Sequence, residues 1–137
     1  MARLALLLAC AAALAPRSAA ARATMDLGYR LDEVFSVAQR FVRVDRGCKI
    51  TDKDADAAYV MFECSVDEKH SSRGALEIFR AQVRGHDGVR IQVTLADEPH
   101  GAELRLVELL ERKLREERGA PAPPPRAPNA PTDGGVR

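Results

Sequence analysis

The strongest constraint in this chain is a stretch of unbroken alternation. In residues 88–96, Val89, Ile91, Val93 and Leu95 take every second place, with Arg90, Gln92 and Thr94 between them. Successive side chains of a strand point to opposite faces, so this segment has one apolar face and one polar face. It calls for a sheet buried on one side and open to water on the other. Antiparallel sheets are built that way, whereas buried parallel sheets need apolar residues on both faces.

Three more segments read as strands: 47–52, 58–66 (AYVMFECSV) and 74–82 (GALEIFRAQ). The connections Asp-Glu-Lys-His-Ser-Ser-Arg and Arg-Gly-His-Asp-Gly are polar and short, which favours an antiparallel meander. Helices flank it. Over 30–44, Leu31, Val34, Phe35, Ala38, Phe41 and Val42 recur at helical spacing, and Gly47 is a natural stop. Over 101–117, Leu106, Leu109, Leu110, Lys113 and Leu114 form an inner stripe, Glu108–Arg112 and Glu111–Arg115 are i,i+4 pairs, and Gly119 ends the run. The expected fold is a two-layer α+β domain. An antiparallel β-meander of about four strands carries the N-terminal and C-terminal helices on one face.

The two ends of the chain stand apart from this domain. Met-Ala-Arg begins it, an uncharged apolar run LALLLACAAALA fills 4–15, Pro16 follows, and Ala21-Arg22-Ala23 offers a small-x-small cleavage site. Those are the three parts of a secretory leader in order, so 1–23 reads as a signal peptide. Ser18-Ala19-Ala20 and Ala19-Ala20-Ala21 fit the cleavage rule as well. An apolar run of 12 residues is too short to span a bilayer, which needs about 20. Leu7-Leu8-Ala9-Cys10 resembles a lipidation motif, but the apolar stretch before Cys10 is too short and continues past it. Residues 119–137 contain six of the eight prolines and only one aliphatic side chain larger than alanine, Val136. That composition cannot bury enough apolar area to order itself, and it predicts a disordered, proline-rich tail. The folded domain is therefore expected over 24–118.

Removing the leader changes two balances. The whole chain has 21 basic and 20 acidic residues; without Arg3, Arg17 and Arg22 it has 18 against 20, a net charge of −2. Nucleic-acid binding needs a basic footprint, which is then missing. Cys10 also leaves, so that Cys48 and Cys64 remain as one possible pair in an oxidising compartment. A hairpin with Cys48 opposite Cys64 sets Ile50 against Phe62 and Asp52 against Val60, with a turn at 54–57. Directly opposed residues bring their Cα atoms within about 4.5–5.5 Å, inside the range a disulfide accepts. There is no Cys-x-x-Cys redox motif.

Catalytic motifs are missing too: no Gly-x-Ser-x-Gly, no phosphate-binding glycine loop and no His-Glu-x-x-His. No sequence pattern calls for a cofactor. The acidic turn at Asp52, Asp54 and Asp56 lacks the glycine and terminal glutamate of a calcium loop. Of the histidines, His70, His86 and His100, the first and last are expected at one end of the sheet, near Asp67, Glu68, Asp97 and Glu98. Their spacing matches no metal-ligand motif, and polar loops account for them.

The open face of the sheet is more informative. If Val60, Phe62 and Cys64 face the helices, Tyr59, Met61 and Glu63 point away. Matched register then turns Leu76 and Ile78 inward and Glu77 and Phe79 outward, with Phe79 between Met61 and Arg90. Tyr59, Met61, Phe79 and Arg90 make an amphipathic patch in which a guanidinium beside an aromatic ring is favourable.

The helix–meander–helix order of residues 30–118 resembles small uncharacterised exported bacterial proteins, and loosely the helix-grip domains of envelope lipoproteins in the outer-membrane assembly machinery. The resemblance rests on element order and shares no motif, so it transfers no functional residue. The leading expectation, from the leader and the amphipathic patch, is a non-catalytic binding or interaction module, periplasmic or secreted, whose partner is an envelope protein or a second copy of itself. The competing expectations are a small hydrolase or metal-dependent envelope enzyme and, third, a secreted structural or inhibitory module.

Overall fold

The structure, a computed structural model, describes residues 22–96, 98–99 and 101–121. Its elements run β1 (Arg22–Leu27), α1 (Leu31–Arg40) with a widened π-helical turn (Phe41–Asp45), β2 (Lys49–Asp54), β3 (Tyr59–Ser65), β4 (Ser71–Val83), β5 (His86–Leu95) and α2 (Ala102–Arg118). The protein is α+β, and its five strands form one antiparallel sheet in the order β1-β5-β4-β3-β2.

The meander β2-β3-β4-β5 matches the expected order, with β4 and β5 longer than expected, β3 shorter, and tighter turns. β4 begins at Ser71, inside the stretch expected to be a connection. β4 and β5 are joined by Arg84 and Gly85 alone, and Val83 pairs with His86. Both turn residues have positive φ, 52° and 82°. A two-residue turn of that kind matches the right-handed twist of the strands it joins, and glycine takes the second position without a steric penalty. His86 is therefore a strand residue rather than part of a loop.

The expected count of about four strands is one short. β1 was hidden because its sequence, Arg-Ala-Thr-Met-Asp-Leu, straddles the end of the apparent leader. It pairs with β5 from Arg22↔Thr94 to Leu27↔Val89. Ala23 and Leu27 turn into the core while Thr24 and Asp26 are exposed. Residues 1–21 of the expected leader and 122–137 of the expected tail lie outside the described residues. Gly119, at the end of α2, is tied to the domain: the Tyr29 hydroxyl donates to its carbonyl at 2.7 Å.

One core cluster unites the inward residues of the sheet with both helices. Phe62, Leu76, Val89, Ile91 and Val93 come from the strands, Val34, Val37 and Ala38 from α1, and Leu106, Val107, Leu110 and Leu114 from α2. α2 lies against β1 and β5, and α1 against β3, β4 and α2. The inner stripe of α2 differs from expectation at two places. Val107 is fully buried, and Lys113 instead reaches Asp45 at 3.2 Å and Glu117 at 3.5 Å. A long lysine stem can border a core while its ammonium group stays with carboxylates. Of the two expected i,i+4 pairs, Glu111–Arg115 forms at 2.7 Å, whereas Arg112 lies nearer Glu116, at 3.9 Å.

Cys48 and Cys64 form a disulfide, with Cα atoms 4.4 Å apart. It joins the segment after the π-helical turn to the end of β3. The neighbouring rungs Lys49↔Glu63 and Ile50↔Phe62 keep the expected register, but a bulge then sets Asp52 against Met61 instead of Val60. The extra residue that a bulge inserts is invisible to a count of alternating positions. The turn spans 55–58, and the Asp54 carboxylate caps it by accepting from the Asp56 and Ala57 amides at 2.8 Å each.

Replacing both cysteines by alanine should lower unfolding stability by about 3 kcal/mol, from the chain entropy that the closed loop removes. Urea titration of wild type with and without reductant, beside the double variant, measures it. Reduced wild type and the variant should coincide, and the unreduced, unfolded protein should expose no thiol from Cys48 or Cys64.

Gly74 permits a close approach within the core. A Cβ there would lie 2.4 Å from Phe62 Cζ and 2.8 Å from Leu95 Cδ2. Gly74→Ala should therefore destabilise the fold by about 1–3 kcal/mol through overpacking, seen as a lower urea midpoint at unchanged slope.

Candidate interaction surface

The outward residues that form this surface come from four strands. β3 supplies Tyr59, Met61 and Glu63; β4 supplies Arg73, Ala75, Glu77 and Phe79; β5 supplies Arg90, Gln92 and Thr94; β1 supplies Thr24 and Asp26. Most polar groups on this face are already engaged with one another. The Tyr59 hydroxyl donates to Asp52 Oδ2 at 2.8 Å. Gln92 Nε2 donates to Glu77 at 2.9 Å, and Ser71 donates to Glu63. Arg90 donates through Nε and Nη2 to the two carboxylate oxygens of Asp26, at 2.7 and 3.0 Å.

The apolar side chains on this face remain uncovered. Met61 is 46% exposed and Phe79 47% exposed, while Tyr59 is half-buried. Their arrangement differs in part from the expected patch. Phe79 does pair with Arg90. Met61, however, stands opposite Ala75, and Glu77 stands between Tyr59 and Gln92. Phe79 is thus two same-face rungs from the position opposite Met61, and Tyr59 is its nearer diagonal neighbour on β3. The hairpin turn sets this register, and alternation alone gives the face but not the rung. Arg90 is likewise bound to Asp26, a partner that sequence reading missed because β1 was unrecognised.

The sheet's two edges are unlike. β2 exposes Lys49, Asp52, Lys53 and Asp54, and closely spaced charges discourage further strands from adding there. Lys53 also donates to Gln39 Oε1 at 2.8 Å, fastening that edge to α1.

A second feature is an open cleft of about 520 Å³ where the β4–β5 hairpin, the end of β1 and the last turns of α2 meet. Arg84, His86, Asp87, Glu111 and Arg115 are among its lining residues. His86 Nε2 is buried with no hydrogen-bond partner among the described residues. The expected histidine cluster at the other end of the sheet is only partly visible. His70 lies in the β3–β4 turn with Nδ1 2.9 Å from Asp67, while Asp97 and His100 are outside the described residues. Hydrogen bonds from the Lys69 amide and the His70 ring hold the Asp67 carboxyl below its ordinary pKa. Among the described residues, no three His, Cys, Asp or Glu side chains gather as metal ligands, and no helix is long and apolar enough to cross a membrane.

No family model and no curated protein matches the chain. Solved structures do resemble it. CalU16 from Micromonospora echinospora is 15% identical over 74% of this chain and 76% of its own, with a TM-score of 0.51. At that identity the likeness is one of fold alone. The di-domain ARO/CYC BexL from the BE-7585A biosynthetic pathway is a looser match: 12% identity over 71% of this chain and 43% of its own, with a TM-score of 0.42.

The Arg90 pair makes acid stability a test of this face. The hydrogen bonds from Arg90 hold the Asp26 carboxyl below its ordinary pKa of 3.8. A carboxylate with a depressed folded-state pKa contributes stability above its unfolded value, and that contribution is lost as pH falls through the folded value. The side chains of Arg90 and Asp26 are 55% and 40% exposed, so solvent screens the pair and the effect is small. Wild type should exceed Asp26→Asn in urea midpoint near neutral pH, and the two should converge as pH drops below 3.8. Raising the salt concentration should narrow the difference at neutral pH.

Proposed function

We propose that this protein is an exported, non-catalytic binding module, working in the periplasm or outside the cell, which holds its partner on the open face of its sheet. In this reading the two helices cover one face of the sheet and leave the other free. The observation that carries it is the state of that face. Its polar side chains are largely paired with one another, while Met61 and Phe79 stay nearly half exposed. Covering polar groups that already have partners inside their own surface strips away less water than covering unpaired ones. Covering Met61 and Phe79 removes apolar area from water, which favours association. The disulfide suits an oxidising compartment, and the leader-like N-terminus supplies the route there. The element order, similar to envelope helix-grip domains, agrees with such a role.

The partner in this reading is an envelope protein or a second copy of this chain. Photo-crosslinking from position 75, between Met61 and Glu77 on the same face, tests it in the native compartment. A defined adduct should form with wild type. Met61→Ser combined with Phe79→Ser should abolish it while the urea midpoint changes by less than about 0.5 kcal/mol equivalent, as surface changes usually do. Unchanged crosslinking in the double variant sinks the proposal.

A second reading, a small hydrolase or metal-dependent envelope enzyme, has one favourable observation: His86, whose buried Nε2 has no partner among the described residues, lines a charged cleft. Calorimetric titration with zinc should give a saturable heat, lost in His86→Ala, if that reading holds.

A further inference from the structure

We infer that the Cys48–Cys64 disulfide is open to thiol–disulfide exchange from one side only. A small anionic thiol enters at Cys64 Sγ and is held there as a mixed disulfide, and Cys48 is the sulfur released. This modification site is separate from the open face of the sheet and does not depend on what that face binds.

The two cysteines sit in unlike surroundings. Cys48 is 5% exposed and belongs to the core cluster. Cys64, near the end of β3, is half-buried and packs against that cluster from its margin. It lines a cleft of about 340 Å³ between the sheet and the first half of α2, beside Ser72, Leu95, Leu106 and Leu109. Cys48 is not among the residues that line this cleft. Exchange needs a thiolate to reach one sulfur, and access helps decide which sulfur is attacked. The cleft gives a small molecule a route to Cys64, whereas Cys48 lies in the core.

The cleft also favours one sign of charge. Arg46 and Arg105 line it, and neither forms an ion pair among the described residues. Glu98 is the one carboxylate among its described lining residues. The Ser72 hydroxyl already donates to the Ala96 carbonyl at 2.8 Å, which leaves the two guanidiniums to meet an incoming anion. A cleft lined by one excess sign of charge raises the local concentration of the opposite sign. The attacking thiolate is an anion, and carboxylates on the same molecule strengthen the attraction.

In the exchange, the thiolate sulfur bonds to Cys64 Sγ as the Cys48–Cys64 sulfur bond breaks. The electron pair of that bond leaves on Cys48 Sγ, which takes a proton from water. The incoming sulfur is oxidised to the disulfide level and Cys48 is reduced to the thiol. The Arg46 carbonyl oxygen lies 3.6 Å from Cys48 Sγ. A disulfide sulfur has no hydrogen to give it, but the released thiol does. Burial in apolar surroundings keeps a thiol protonated and inert, so Cys48 returns to the mixed disulfide slowly. The same burial makes it a slow leaving group, so the exchange calls for excess thiol.

The test incubates the folded, oxidised full chain with excess reduced glutathione under native conditions. Samples taken over time are quenched in acid, unfolded, alkylated with N-ethylmaleimide and mapped by peptide mass, which resolves every cysteine, Cys10 included. Glutathione on Cys64 with the alkyl group on Cys48 is expected. Glutathione on Cys48 or shared equally between the two, an intact disulfide throughout, or two alkylated cysteines with no adduct at any time overturns the inference. Cys48→Ser and Cys64→Ser add a second arm with glutathione disulfide as the reagent. The Cys64 thiol should react at least about tenfold faster than the Cys48 thiol, since access and thiolate fraction both favour it. Equal or reversed rates overturn the inference, and if either variant unfolds the wild-type mapping decides alone. Combining Arg46→Gln with Arg105→Gln should slow glutathione addition about threefold at low salt and leave addition of uncharged 2-mercaptoethanol unchanged. The same change for both thiols overturns the selection by charge.

Discussion

The two-residue turn at Arg84 and Gly85 governs more of this protein than any other local feature. It sets the register of β4 against β5, the longest pairing in the sheet, from Val83↔His86 to Gly74↔Leu95. A slip of one residue in that hairpin would turn every inward side chain of one strand outward. Either Leu76 and Ile78 of β4 or Ile91 and Val93 of β5 would lose the core, and Phe79 and Arg90 would no longer share one face. Because β4 and β5 are the central strands, β3 takes its place from the first and β1 from the second. The composition of both faces therefore follows from one turn with positive φ at both residues.

The outer strands are held by different means. β1 depends on backbone pairing with β5, the burial of Ala23 and Leu27, and the Arg90–Asp26 pair on the open side. β2 buries little of its own side-chain surface. It is held instead by its ladder to β3, the Cys48–Cys64 bond near its start and the Lys53–Gln39 contact. A covalent link is a sensible substitute for core area in a small domain, where the fraction of surface that folding can bury is limited. Both helices contribute to the core, and Lys113 and Arg40 knit α2 to the region around α1 through Asp45 and Glu117.

Much of this layout was legible in the residues. The alternation from Val89 to Leu95 announced a sheet with one wet face, and the spacing of Val34, Phe35 and Ala38 announced a helix laid on the core. Counting cysteines made Cys48–Cys64 the default pair if Cys10 is set aside with the expected leader, and the structure forms that bond. β1 was not legible, because its first two residues, Arg22 and Ala23, complete a small-x-small triplet with Ala21 and look like the end of a leader. The bulge near Asp52 was also hidden, since an inserted residue leaves no mark in composition. Those two gaps explain the errors at the open face. Asp26, the partner of Arg90, lies on the missed strand. Met61 sits opposite Ala75 because rung-by-rung register is set by turn geometry, which a pattern of period two does not encode.

The sequence by itself determined the class of the fold and the two faces of the sheet, because both depend on local periodicity, and made Cys48–Cys64 the default pair; the structure decided that they are bonded. It also offered three triplets of small residues at which the expected leader could end. Only the tertiary structure decided which residues stand side by side on the open face, and that Arg22 and Ala23 belong to the domain. Both are facts about long-range pairing. Ala23 looks like a cleavage residue when its neighbours are Arg22 and Thr24. It becomes a core residue once Val93, seventy positions away in the chain, is its neighbour.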